Sequence, residues 1–234
     1  MKEECLICGA ALEYLESGTQ MECAVCGRRE GSRTRCVNGH YVCNDCHMDG
    51  MDATLGLCLR STSKNPIGIL QELMSQPFCH MHGPEHHVLV GSALLTACRN
   101  AGGSIDLPAA LAEMVSRGKS VPGGACGFWG ACGAGLSTGI FVSILSNSTP
   151  LSEEPFGLSN RMTAKALEQI GTIGGPRCCK RDSLLSVLAA VAFVREQFGI
   201  EMEVPDVVCE YGAQNNQCIG IRCPFSKANQ KNNP

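Results

Sequence analysis

The chain is poor in aromatic side chains and carries no marked excess of charge. Phe, Trp and Tyr together make up 5% of its 234 residues, with a single Trp, so any core must be closed by small aliphatic groups. Nineteen Lys and Arg against 22 Asp and Glu leave a net charge of -3. That excludes a global field drawing the protein to nucleic acid or anionic lipid and leaves only a local basic patch. No apolar run reaches the ~18 residues of a membrane span. The opening MKEECLICG has no apolar secretory segment behind its lysine. A cytoplasmic protein with no membrane partner is expected.

What the chain has instead is cysteine, 17 in all. In a reducing compartment they cannot form a disulfide framework, so metal ligation or redox chemistry is the better account, and the thiol load points to an anaerobic cell. The hydrophobic fraction of 44% and charged fraction of 18% describe a compact globular chain.

Residues 1–58 hold eight cysteines and two histidines but no sustained apolar periodicity, so metal must stand in for a core there. Residues 64–226 alternate apolar helices with glycine-rich connections, Asn65-Pro66 marks the boundary, and 227–234 are a polar tail. The expected fold is mainly α: a small N-terminal module of zinc-ribbon or treble-clef type, then a compact helical domain with glycine-rich cysteine loops. Helices are predicted over Ile67 to Met74, Glu85 to Asn100, Leu107 to Arg117, the apolar run LSTGIFVSILSN, Thr163 to Ile170 and Ser183 to Phe198. Residues 148–158 read as a loop and MEVPDVVCEY as a short extended piece.

In the first module Cys5, Cys8, Cys23 and Cys26 form two Cys-x-x-Cys-Gly knuckles, a spacing that suits tetrahedral zinc. Cys36, His40, Cys43 and Cys46 supply four further ligands, with His47 as a spare. Two sequential sites are possible. So is a cross-brace joining Cys5 and Cys8 to Cys36 and His40, and Cys23 and Cys26 to Cys43 and Cys46, as in RING-type fingers. Arg28, Arg29, Arg33 and Arg35 lie between the sets and would have to share one face for nucleic-acid binding, which is not expected.

Four of the six histidines fall in CHMHGPEHH, just ahead of and inside a predicted helix. The positive end of a helix keeps imidazole neutral, fit for ligation or base chemistry, so His82 and His86 are candidate proton carriers and Glu85 a group that orients them. Cys126 and Cys132 sit in a glycine-rich loop before a helix, and Cys178 and Cys179 at another helix start beside Arg177, Lys180 and Arg181. Both settings are expected to lower a thiol pKa. Cys218 and Cys223-Pro224 resemble the last ligands of iron-sulfur motifs. Cys126, Cys132, Cys178, Cys218 and Cys223 together exceed the needs of one four-cysteine cluster. If they converge, an iron-sulfur cluster or an open zinc site is the economical explanation, with separate redox thiols as the other.

The motifs HMHGPEHH, GFWGACGAG, GGPRCCKRD and QCIGIRCPF resemble an uncharacterised cysteine-rich family of anaerobic bacteria and archaea, sometimes joined to a SAM-dependent methyltransferase, over residues 36 to 226. The resemblance brings no activity with it. Two functions are therefore carried forward. One is redox or sulfur-transfer chemistry at a Cys/His site, with Cys178 and Cys179 as nucleophiles or ligands and Arg177 holding an anionic substrate. The other is a non-catalytic zinc accessory that docks on a methyltransferase or a redox partner protein.

Overall fold

Among residues 5–46 the buried side chains are Cys5, Met21, Cys23, Cys36 and Cys43, so sulfur occupies the place of a core. The computed structural model describes residues 5–230; residues 1–4 and 231–234, the end of the expected polar tail, lie outside the described residues. Strand β1 (Leu12–Glu22) pairs antiparallel with β2 (Arg29–Cys36), from Leu12 opposite Cys36 to Glu22 opposite Arg29, with an irregularity between Tyr14 and Thr19. LEYLESGTQME is polar on both faces, which hides the strand from a search for apolar alternation. A one-turn helix α1 (Asn44–His47) follows. Helix α2 (Met51–Arg60) packs on the helices described next, although its first eight residues fall in the cysteine-rich segment read as the metal module.

Helix α3 (Pro66–Met74) starts where Asn65 accepts the Gly68 N–H at 3.0 Å and Pro66 pre-sets the first turn. Helix α4 (His86–Asn100) is the axis of the domain. Every residue from Val88 to Cys98 is buried, and α2, α3, α5 (Leu107–Lys119), α7 (Gly133–Leu145) and α9 (Cys179–Phe198) surround it. A helix with no polar face must be enclosed in this way. Small residues replace the scarce aromatics in closing the core. A Cβ on Gly139 would overlap Thr163 of α8 (Glu154–Ile173), and one on Gly91 would overlap Met114 of α5. Burial of each fully enclosed aliphatic side chain, such as Leu89 or Leu94, contributes ~1.5–3 kcal/mol.

Among the described residues the chain is mainly helical, as expected, and carries one two-stranded sheet. Three details differ. Helix α8 begins at Glu154, inside the expected loop, because Pro155 lies in its first turn, where the missing N–H is harmless. A one-turn helix α6 (Cys126–Trp129) forms within the glycine run. MEVPDVVCEY forms no strand; its chain is irregular and leads to 3-10 turns at Gly212–Gln214 and Gly220–Arg222 and a short α10 (Lys227–Gln230). Among the described residues no helix is long and apolar enough to cross a membrane.

Candidate metal centres and the seam between the modules

Each knuckle closes on a glycine with positive φ, Gly9 and Gly27 both at 72°, whose N–H returns to the carbonyl of Cys5 or Cys23. The two knuckles do not share a site. Ligand atoms of Cys5, Cys8, Cys36 and His40 lie within 4.8 Å of one another, as do those of Cys23, Cys26, Cys43 and Cys46. Of the two pairings the sequence leaves open, the interleaved one is present. Four thiolates ~2.3 Å from a tetrahedral ion stand about 3.8 Å apart, and a thiolate and an imidazole about 3.5 Å. Cys8 and Cys36 are 3.9 Å apart, Cys26 and Cys43 3.7 Å, and His40 Nδ1 is 3.5 Å from Cys36 Sγ. Both groups can therefore hold a metal such as zinc. The backbone N–H of Ala10 and the Asn38 amide hold the Cys8 thiol down to about 6, so it is a thiolate at neutral pH.

Three of the four arginines of this module have counter-charges. Arg28 meets Asp45, Arg29 meets Glu22 at 2.9 Å and Arg35 meets Glu13 at 2.7 Å, while Arg33 lies over the Phe128 ring. They are not an unpaired basic stripe.

Asn44 ties the module to the helical domain: its amide donates to Val121 O at 3.1 Å and its carbonyl accepts the Gly123 N–H at 3.0 Å. The seam encloses a cavity of about 110 Å³, lined on one side by Tyr14, Thr34 and His47 and on the other by His80, His82 and Arg177. A smaller pocket of about 30 Å³ shares Gly83, Pro84, Gly124 and Arg177 with it and adds Cys126 and Cys179. Arg177 stacks over Tyr14 at 5.3 Å. Burial first, and the Arg177 charge second, push His82 down to about 4. It is therefore a neutral imidazole at neutral pH, the state expected of it, with one N–H donor and one acceptor nitrogen.

Beneath the cavity lies Glu85, with no exposed surface. Burial alone would raise its carboxyl, but His47 and His80 beside it hold it well below the usual carboxylate range. Cys79, His86 and Lys180 complete this buried cluster. Lys180 Nζ is 3.1 Å from Cys79 Sγ, His86 Nε2 is 3.8 Å from the same sulfur, and His86 Nδ1 is 3.0 Å from the Gly83 carbonyl. Burial, with the Lys180 charge, keeps His86 neutral.

Among the described residues no three of Cys126, Cys132, Cys178, Cys218 and Cys223 bring their sulfurs within 4.8 Å of one another. Cys126 and Cys179 line the seam pocket, and Cys132 Sγ lies 3.9 Å from Asp182. Cys178 belongs with Cys209, Cys218 and Cys223, the last three lining a separate pocket of about 320 Å³. The thiols are also not activated as their helix-start positions imply. Burial pushes Cys178 up to about 11 and Cys132 up to about 12, and it raises Cys179 as well, because lost hydration outweighs the backbone N–H groups and the arginines. Arg181 is 2% exposed and engaged by Asp182 at 3.0 Å and by the carbonyls of Gly174 and Pro176. Arg177 is thus the arginine of this turn that faces a cavity.

Residues outside the sequence-derived site also converge here. His47 was a spare ligand and His80 one of a cluster, and their meeting through Glu85 joins positions 33 residues apart that only the module docking brings together. Lys180 and Asp182 lie in the GGPRCCKRD motif and Asn215 in none, but what sets all three apart is burial, and burial of a charge is not written in local sequence.

Comparison with known proteins gives one family, described only as a family of unknown function, whose model matches residues 55–226, more than half of the chain. No curated protein and no solved structure matches it.

Proposed function

The chain belongs to that family, DUF5714, and since membership carries no activity, we propose from the side chains that it is a metal-thiolate enzyme performing redox or sulfur-transfer chemistry on a small anion in the seam. One observation carries this reading: Arg177 is the shared wall of two adjoining pockets, one lined by His47, His80 and His82, the other by Cys126 and Cys179. An anion paired with Arg177 would have histidines on one side and thiols on the other. A cavity of about 110 Å³ admits only a few heavy atoms, well below the ~300 Å³ at which drug-sized pockets begin. The two thiolate groups of the N-terminal module, with zinc as the metal, hold the hairpin that forms one wall. Calorimetry with sulfate, sulfite and thiosulfate tests the reading. At least one should bind the metal-loaded protein and lose ~10- to 100-fold in affinity in Arg177→Ala, the worth of a charge-assisted contact. No binding, or binding indifferent to Arg177, contradicts it.

The C-terminal cysteines favour a second reading. The Tyr211 N–H points at Cys209 Sγ, the Gly220 N–H at Cys218 Sγ and the Arg181 N–H at Cys178 Sγ, each at 3.4 Å. Such bonds tune iron-sulfur thiolates. On this reading Cys178, Cys209, Cys218 and Cys223 hold a 4Fe-4S cluster that exchanges electrons with a redox partner, and Cys126 and Cys132 do not take part. Anaerobically isolated protein should contain iron and acid-labile sulfide, both lost in Cys209→Ser; iron-free protein removes this reading.

A further inference from the structure

The buried carboxylate of Glu85 has one oxygen with a strong partner and one without. Oε1 accepts the backbone N–H of His80 at 2.7 Å, whereas Oε2 has no hydrogen bond although it is fully enclosed. Leaving a buried anionic oxygen unpaired is unfavourable, so a partner is to be sought among what surrounds it. His47 Nδ1 lies 3.2 Å from Oε2 and His80 Nδ1 3.3 Å from Oε1, yet neither nitrogen is aligned for a hydrogen bond with the carboxylate. The two imidazoles cross edge to face with centroids 4.7 Å apart, and ligand atoms from all three side chains fall within 4.8 Å of one another. Three donors that converge on one point without bonding each other are arranged as ligands around a common ion. Nitrogen and oxygen donors ~2.0–2.2 Å from a tetrahedral ion stand about 3.4 Å apart, close to both spacings here.

A competing group shares the same carboxylate, since Cys79 and His86 also have ligand atoms within 4.8 Å of it. That side already has its cation. The Lys180 ammonium lies 3.1 Å from Cys79 Sγ in a wholly buried setting, and a divalent ion placed there would meet a fixed positive charge. The histidine side has no such occupant among its hydrogen-bond partners.

We infer that His47, His80 and Glu85 form a third metal site, for a divalent transition-metal ion, assembled only when the N-terminal module docks on the helical domain. His47 immediately follows Cys46, so the four-thiolate group positions it, while His80 and Glu85 belong to the helical domain. Two imidazoles and a carboxylate are the ligand class of zinc and of non-haem iron, and they leave coordination positions open. Both histidines line the cavity that holds Arg177, so an open position faces the anion bound there. That last step, the ion as the Lewis acid of the chamber, rests on the reading of Arg177 above; the site itself rests only on its three ligands. Gly83 belongs to the design, because a Cβ there would overlap the Glu85 carboxylate.

The test is stepwise loading of reduced, metal-free, full-length protein with cobalt(II) under anaerobic conditions. Thiolate sites give intense sulfur-to-cobalt charge transfer in the near ultraviolet. The inferred site should add one equivalent that shows only weak visible bands. This equivalent should vanish in His47→Ala and in His80→Ala while the charge-transfer intensity stays, and it should remain in Arg177→Ala. Glu85→Gln should lose it too, but a fully buried substitution can fail to fold, so the variants at the partly exposed His47 and His80 carry the decision. A wild-type protein with no sulfur-free equivalent, or one that keeps it in the His47→Ala, His80→Ala double variant, overturns the site. Loss of anion binding with that equivalent intact would overturn only the reading of Arg177.

Discussion

Cys178 and Cys179 are consecutive in the chain, yet their thiols serve opposite sides of the start of α9. Cys178 accepts a hydrogen bond from the Asn215 amide at 3.3 Å, toward the C-terminal cysteines, whereas Cys179 lines the seam pocket with Cys126 and Arg177. The backbone explains the split. Cys178 is the N-cap, extended at φ -147° and ψ 99°, and extended backbone sends neighbouring side chains to opposite faces. A pair that reads as one reactive unit is thus divided between two environments.

Reactivity should follow burial and not position at a helix start. In metal-free, reduced protein at neutral pH, iodoacetamide is expected to label first the exposed Cys8, whose thiol is held down to about 6. Cys178, raised from 9.0 to about 11, should lag even a thiol at the ordinary value by roughly 100-fold on thiolate fraction alone, with its burial slowing it further. Peptide mass spectrometry across a labelling time course reads this, and comparable rates would contradict it.

The interleaved ligand pairing has its own signature. In cadmium-113 substituted protein, Cys5→Ala and His40→Ala should abolish the same resonance, and Cys23→Ala and Cys46→Ala the other. Sequential sites would instead make Cys5 and Cys23 share one.

How far the sequence goes toward this picture depends on whether the deciding interaction is local. Helix α3 was legible because Asn65 and Pro66 are its cap and first turn, and α9 because Gly199, at φ 65°, ends it. The eight ligand types of the N-terminal module were legible from spacing, but their pairing is set by the hairpin that brings Cys36 back beside Cys8, and both faces of that hairpin are polar. The length of α8 was not legible, since Pro155 and Gly157 look like loop residues until the first turn is known to contain them. The histidine run was conspicuous, but its partner His47 and its neighbour Lys180 come from other elements, so the cluster exists only after packing.

Close packing of α7 against α8 should make two glycines of the same region behave oppositely. Gly139→Ala forces a Cβ into Thr163 and to 3.1 Å from the Ser159 carbonyl, and is expected to cost ~1–3 kcal/mol. Gly171→Ala, on an exposed face of α8 with no atom within 4 Å, should stabilise by about 0.5–1 kcal/mol through helix propensity. Urea unfolding of the two variants decides it, and a cost at Gly171 or none at Gly139 would count against the helix packing described.

Alkali should weaken the helical domain. Burial raises Cys58 and Cys98 from 9.0 to about 11, so the folded state keeps protons that the unfolded chain releases above about pH 9. Their contribution is fully present below that pH and is lost as the pH climbs through about 11. The urea midpoint should fall between about pH 8 and about pH 10.5, and the Cys58→Ala, Cys98→Ala double variant should show a smaller fall. An equal fall in the variant would assign the effect elsewhere.

The seam itself is tested most directly by anomalous diffraction from crystals of the metal-loaded protein soaked in selenate. The predicted result is a selenium peak at the guanidinium of Arg177, between His82 and Cys179. Peaks confined to surface lysines and arginines, with none at Arg177, would contradict the placement of the chemistry in that cavity.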